Sequence, residues 1–217
     1  MVIAGLGGHA REVVDVLGYE QAPSFHFFEE FETGESNNWG FEINKVTDAE
    51  RLRAIFTKDP DFVIAVGNPV LRQKFYTAFC DVGGKPFSVI ASTSIISKNN
   101  VELGEGLNIM HLSFISSKVR IGNGTLVNCG VKIHHDSIIG DFCEISPNAI
   151  ILGGCKVGNN CSIGSSATIL PKVSIGNNVI IGAGSVVTKD IPDNMLAYGV
   201  PARVMKSRTA SEHFINK

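Results

Sequence analysis

Val131-Lys132-Ile133-His134-His135-Asp136, Ser137-Ile138-Ile139-Gly140-Asp141-Phe142 and Cys143-Glu144-Ile145-Ser146-Pro147-Asn148 are three consecutive hexads, each with Ile in third place. The same frame extends outward to Val101 and to Asp190, fifteen hexads in one phase, and the third residue is Ile, Leu or Val from Leu103 through Val187. A fixed period held this long is a structural repeat and outranks local propensity.

A longer period lies inside the first. Gly104, Gly122, Gly140, Gly158 and Gly176 stand 18 residues apart and are followed by Glu105, Asn123, Asp141, Asn159 and Asn177. Most of these are residue types that accept turn conformations. Three hexads therefore make one coil, and the repeat predicts about five coils of a triangular parallel β-helix, with rungs ~4.8 Å apart. Small or aliphatic first-place residues (Val119, Val131, Cys143, Ala149, Cys155, Cys161, Ala167, Val173, Val179) suit a narrow interior.

The 217 residues bear a net charge of −2, 44% are hydrophobic and 13 are Phe, so a sizeable core is assured. With an isoelectric point near 6.3, a nucleic-acid or anionic-membrane surface is not expected. No apolar run approaches the ~18 residues of a membrane span, and MVIAGLGG reads as no secretory leader. The five cysteines lack CxxC spacing; reduced thiols in a cytoplasmic protein are expected.

Ahead of the repeat, Met1–Ala4 is a short apolar strand running into Gly5-Leu6-Gly7-Gly8-His9-Ala10, and apolar residues at 10, 13, 14 and 17 follow helical spacing. Strand, glycine turn and helix in that order bring bare helix N-terminal amides to a point where phosphate oxygens bind well. A second strand, Ser24–Phe28, ends in Glu29-Glu30, acids placed to accept from ribose or base. Thr47 or Asp48 caps a helix through about Phe56, Asp61–Gly67 is a buried strand, and Asn68-Pro69 opens a helix carrying Arg72 and ending near Gly83-Gly84. Phe87–Ile90 reads as a last strand leading into the coils. Alternating strands and helices predict a small parallel α/β unit, one half of a Rossmann domain.

The hexad pattern resembles the left-handed β-helix acyltransferases, and the left hand comes from that resemblance. Within the repeat, His134-His135-Asp136 interrupts an otherwise bland run. Transfer of an acyl group to an amine or hydroxyl needs a base, which imidazole suits, and an adjacent carboxylate can fix its tautomer. Family members place His followed by Glu or Asp directly before x-[IV]-[IV]-G, which selects His135 and Asp136. One coil on, 135 plus 18 is Gly153, expected to stack beside His135 on the same side.

The GxGGHAxE-type unit joined to the repeat, with VGNPVLR and the exit GVPARV, resembles the sialic acid O-acetyltransferase and nucleotide-aminosugar N-acetyltransferase family (NeuD/PglD-like). The likeness implies an acetyl-CoA-dependent N-acetyltransferase acting on a UDP-, dTDP- or GDP-linked 4-amino-4,6-dideoxy sugar. It implies a Rossmann-like nucleotide-sugar unit over 1–90, a left-handed β-helix over 91–190 and an exit loop and tail over 191–217, loose and polar from about Met205. Gly7, Gly8 and His9 would face the phosphates, Glu29 and Glu30 the nucleoside, and Gly67, Asn68 and Arg72 would line the same crevice. Gly153 would serve the oxyanion. Ser165 and Ala183 would lie along acetyl-CoA, as would Glu144, which stands where relatives carry His. Lys189, Arg203 and Lys206 are candidates for the 3′-phosphate. A cytoplasmic homotrimer, without nucleic-acid or membrane partners, is implied as well.

O-acetylation of sialic acid or a related sugar, and a non-enzymatic sugar-nucleotide-binding scaffold, stay open at this point. A zinc-dependent β-helix is not favoured. Stepping 18 residues either way from His111, His134 and His135 meets no second histidine, and no metal is expected.

Overall fold

A computed structural model of the chain describes residues 1–29 and 39–207. Val2–Ala4 (β1), His26–Phe28 (β2), Asn44–Val46 (β3), Asp61–Ile64 (β4) and Lys85–Pro86 (β5) form a parallel sheet in the order β3-β2-β1-β4-β5. Gly8–Leu17 (α1) covers one side, where Ala10, Val13 and Val14 pack on Ile3, Phe27 and Val63. Ala49–Phe56 (α2) and Pro69–Asp81 (α3) cover the other, where Leu52, Phe56, Phe75 and Phe79 meet Val2, Ala4, Phe62 and Ile64. The alternation along β1 and β4 is the period of two that a doubly covered strand requires. Asp48 is the residue that caps α2, accepting from Arg51 N at 2.8 Å. β3 and a 3₁₀ turn over Tyr19–Ser24 are elements the sequence pattern does not show.

The repeat winds into a three-sided prism. One face stacks Asn108–Ile109, Leu126–Val127, Glu144–Ile145, Ser162–Ile163 and Ile180–Ile181; a second stacks Phe114–Ile115, Lys132–Ile133, Ile150–Ile151, Thr168–Ile169 and Val186–Val187; a third stacks Arg120–Ile121, Ile138–Ile139, Lys156–Val157 and Ser174–Ile175. All these pairings are parallel and in register at 18 residues. Third-place residues fill the axis, Ile109, Ile133, Ile145, Ile151 and Ile163 being wholly buried.

Polar first-place residues are satisfied inside. Thr125 Oγ1 donates to Gly140 O at 2.8 Å and Ser137 Oγ to Leu152 O at 3.0 Å, while the Cys155 and Cys161 thiols reach Leu170 O and Gly176 O. Each acceptor lies 15 residues on, so hydroxyl and thiol are interchangeable in the core because the same carbonyl waits for either.

Two devices hold the corners. Sixth-place residues are left-handed, including Lys118, Asp136, Phe142, Asn148 and Asn160 at φ between 52° and 60°. Along another ladder, Asn123, Asp141, Asn159 and Asn177 each accept through Oδ1 from the backbone N–H one coil earlier, at 2.7–2.9 Å. The glycine preceding each is needed there: a Cβ on Gly122 would come within 2.3 Å of Asp141 Oδ1.

Two sequence expectations change. Val89–Ile90 pairs with Asn108–Ile109 and is a rung of the prism, so the last strand of the α/β sheet is β5, Lys85–Pro86. The opening coil is one residue longer than the rest, since Val89 faces Asn108 whereas Glu102 faces Arg120, which takes it out of the hexad frame. At the far end, Met195–Gly199 and Ala202–Ser207 form an antiparallel hairpin added to the first face. Met205 therefore lies in a strand, not in a loose tail, because the prism leaves an edge that a hairpin can extend.

The halves are pinned by Arg72, a wholly buried residue of α3. Its guanidinium donates to Ile64 O and Val66 O at the end of β4, to Gly124 O (2.6 Å) at a prism corner, and to Asn108 Oδ1. Beside it, Tyr76 meets Phe142 edge to face at 5.3 Å.

Candidate active site

His135 and Asp136 occupy the corner between the second and third faces. Asp136 takes the left-handed sixth place at φ 59°, a conformation Asp tolerates better than most residues, and this turns its carboxylate back toward its neighbour. Asp136 Oδ2 lies 2.7 Å from His135 Nδ1. An ionised carboxylate only accepts, so Nδ1 carries the hydrogen, and in the neutral imidazole Nε2 presents a lone pair. The ring lies over Gly153, where a Cβ would meet Cε1 at 2.6 Å and Nε2 at 2.7 Å. Below, Gly154 N donates to His135 O at 2.8 Å. The stacking expected from the 18-residue step is what the structure has. Both side chains are more than half exposed, 62% and 55%, so the basic nitrogen is open to a substrate from outside the prism.

A depression of ≈ 510 Å³ adjoins Asp136 on the third face, lined by Asn100, Glu102, Lys118, Arg120 and Ile138. Arg120 Nε pairs with Glu102 at 3.2 Å. Lys118 lies one coil before Asp136, since 118 plus 18 is 136, the same step that places Gly153 beside His135.

A cleft of ≈ 370 Å³ opens where β1, β2 and β4 end, lined by Gly5, Leu6, Gly7, Gly8, His9, Phe28, Glu29, Ala65, Val66, Gly67, Asn68, Leu71 and Phe75. A Cβ on Gly7, Gly8 or Gly67 would meet nothing of the chain within 4 Å, so the bare backbone there leaves room for a ligand to approach the amides. His9 Nδ1 faces Glu12 at 3.1 Å, and hydrogen bonding to His9 lowers the Glu12 pKa. Glu29 pairs with Lys45 Nζ at 2.7 Å. Asn68 reaches the cleft, but its Oδ1 is used as the cap of α3, accepting from Val70 N and Leu71 N. Glu30 lies outside the described residues. The apolar walls, Phe28, Leu71 and Phe75, carry no motif and went unseen in the sequence.

Arg72 does not line this cleft, contrary to the expectation from the resemblance: it is buried behind Val66 with its donors committed to the acceptors named above, because a guanidinium enclosed by two domains satisfies four acceptors at once. The residues expected along acetyl-CoA do not converge within one chain. Gly153 and Lys189 belong to the His135 corner; Ser165 and Ala183, joined through Gly184 N to Ser165 O at 2.8 Å, follow strands of the first face and so form the corner between the first and second faces. Glu144 lies on the first face, mostly buried, with Ser146 Oγ 2.8 Å from its carboxylate oxygens. Burial pushes its pKa up to about 7, against the lowering influence of Ser146 and the nearby Arg72. Arg203 stands exposed in the final strand. Among the described residues no group of three or more His, Cys, Asp or Glu could hold a metal ion, and no helix is long and apolar enough to cross a membrane.

Residues 1–79 match the PglD N-terminal domain, and residues 118–153, 136–171 and 154–189 match the bacterial transferase hexapeptide family (six repeats). Among solved structures, the chain is similar to a variant of perosamine N-acetyltransferase from Caulobacter crescentus in complex with CoA and GDP-perosamine, at 30% identity, with 95% of this chain and 96% of that one covered and a TM-score of 0.83. The acetyltransferase domain of PglB from Neisseria gonorrhoeae, in complex with acetyl coenzyme A, aligns at 25% identity over 94% and 98% of the two chains, TM-score 0.82. WeeI from Acinetobacter baumannii aligns at 25% identity over the same shares, TM-score 0.81. With a Rossmann-like half domain, a left-handed β-helix and these relatives over nearly its whole length, the chain belongs to the NeuD/PglD-like hexapeptide-repeat acyltransferases.

Proposed function

We propose that this protein transfers the acetyl group of acetyl-CoA to the amine of a nucleotide-linked 4-amino-4,6-dideoxy sugar, with His135 as general base. The observation that carries the reading is the His135–Asp136 pair over Gly153, joined in one chain to a nucleotide-sized cleft and matched end to end by a relative holding CoA and GDP-perosamine. The neutral amine attacks the thioester carbon, a C–N bond forms, and the ammonium proton passes to Nε2 of His135. Asp136 stabilises the imidazolium through Nδ1–H. The tetrahedral intermediate collapses with cleavage of the C–S bond, and the proton on Nε2 goes to the departing thiolate, so no side chain is acylated. The Gly153 backbone N–H is the candidate donor to the oxyanion.

The expected acetyl-CoA residues lie on two corners and one face, so a single cosubstrate reaches them all only between neighbouring copies. A homotrimer with clefts between prisms is the assembly that fits, at three times 23.3 kDa. Use of acetyl-CoA and five free cysteines support a cytoplasmic location.

The test is thiol release from acetyl-CoA with a panel of nucleotide-linked 4-amino sugars and with free sialic acid. His135→Ala should lower turnover ~10²–10⁴-fold while sugar-nucleotide binding stays within twofold. Unchanged turnover removes His135 from the mechanism, and acetylation of sialic acid alone replaces the amine acceptor with a hydroxyl.

A further inference from the structure

Among the described residues lining the N-terminal cleft, Glu29 is the only carboxylate. Its side chain is 10% exposed, with Lys45 Nζ 2.7 Å from Oε2. Beside it the wall is aromatic: Phe28 and Phe75 meet edge to face at 5.6 Å, a surface suited to a flat base. The start of α1, with open backbone at Gly7 and Gly8, follows β1, the strand next to the one that Glu29 follows. A diphosphate is drawn to that helix end and repelled by the carboxylate, so the charges favour phosphates at α1 with the base toward Glu29.

An ionised carboxylate offers two acceptors and no donor. Guanine presents two adjacent donors, N1–H and N2–H, on its Watson–Crick edge, followed by the O6 acceptor. Uracil and thymine present a single N–H flanked by two carbonyl oxygens, one of which would be forced against the carboxylate. Lys45 adds a cation on the side of Oε2, where a guanine O6 could lie. Resting on the sugar-nucleotide reading above, we infer that the cleft selects a guanosine diphosphate sugar, with Glu29 reading N1–H and N2–H of the base.

Calorimetric titration of the full-length protein with GDP, UDP and dTDP tests this. GDP should bind roughly 10- to 100-fold tighter than either pyrimidine nucleotide, the discrimination a bidentate base contact supplies. Glu29→Gln turns one acceptor into a donor and matches uracil N3–H and O4, so the gap should close and UDP should gain. Equal or tighter binding of UDP or dTDP by the unaltered protein overturns the inference and leaves the sugar-nucleotide reading standing. A loss in Glu29→Gln by the same factor for all three overturns it too, since the carboxylate would then be reading ribose hydroxyls. Binding of none of the three takes down both readings.

Discussion

Arg72 and Asn108 stand 36 residues apart and belong to different halves of the molecule, yet Nη2 of the first donates to Oδ1 of the second at 2.7 Å. That bond, with those to Gly124, Ile64 and Val66, makes one buried guanidinium the pin between sheet and prism. Burial pulls its pKa down to about 9, and the surrounding acceptors compensate for the lost hydration. Arg72→Met would strip four acceptors of their donor. A loss of roughly 3–5 kcal/mol in unfolding free energy is expected, measured by urea denaturation. A change under about 0.5 kcal/mol would show the pin to be dispensable.

Gly153→Ala isolates imidazole placement from folding. No left-handed backbone is involved at this position, so alanine is conformationally allowed, but its Cβ would sit 2.6 Å from His135 Cε1. The ring must swing away and its contact with Asp136 is lost. Turnover should fall about 10²-fold, the cost of misplacing a catalytic group by ~1 Å, with a thermal midpoint close to that of the parent. Retained turnover would mean that the ring does not work from this position.

Glu144 makes stability depend on pH. Its folded pKa, about 7, is above the ordinary 4.5, so between those values the folded state binds more protons than the unfolded state. Stability should therefore fall as pH rises from about 4.5 through 7 and level off above it. Glu144→Gln removes the ionisable group and should melt higher than the parent at pH 8, by roughly 2–3 kcal/mol, with the difference fading toward pH 5. A difference independent of pH would contradict the burial of this carboxylate.

The corner ladder separates acceptor from charge. Asp141 Oδ1 receives Asn123 N at 2.7 Å. Asp141→Asn keeps that oxygen and should be nearly neutral, whereas Asp141→Ala should cost about 1 kcal/mol in chemical denaturation. Equal losses from both would show that charge, not the accepted N–H, matters there.

Much of this was legible before folding because the hexad is a local rule. A residue's place in its six decides whether it points inward, outward or round a corner, and an 18-residue step decides what stacks on it. His135 beside Gly153, the buried third-place aliphatics and the Asn/Asp corners follow from counting. The glycine turn before α1 and the caps of α2 and α3 are equally local. The same counting could not reach the opening coil, where one additional residue breaks the phase, nor the exit hairpin, whose antiparallel partners obey no hexad.

By itself, then, the sequence determined the prism, its register, the half-Rossmann unit and the histidine–aspartate corner, since each arises from spacing along one stretch of chain. Only the tertiary structure decided that Arg72 is a buried pin instead of a cleft wall and that Glu144 is mostly buried. Those outcomes depend on which face of the prism the α/β unit covers. That choice is made by shape and hydrogen-bond complementarity between distant segments, for which no periodicity in the chain is a record.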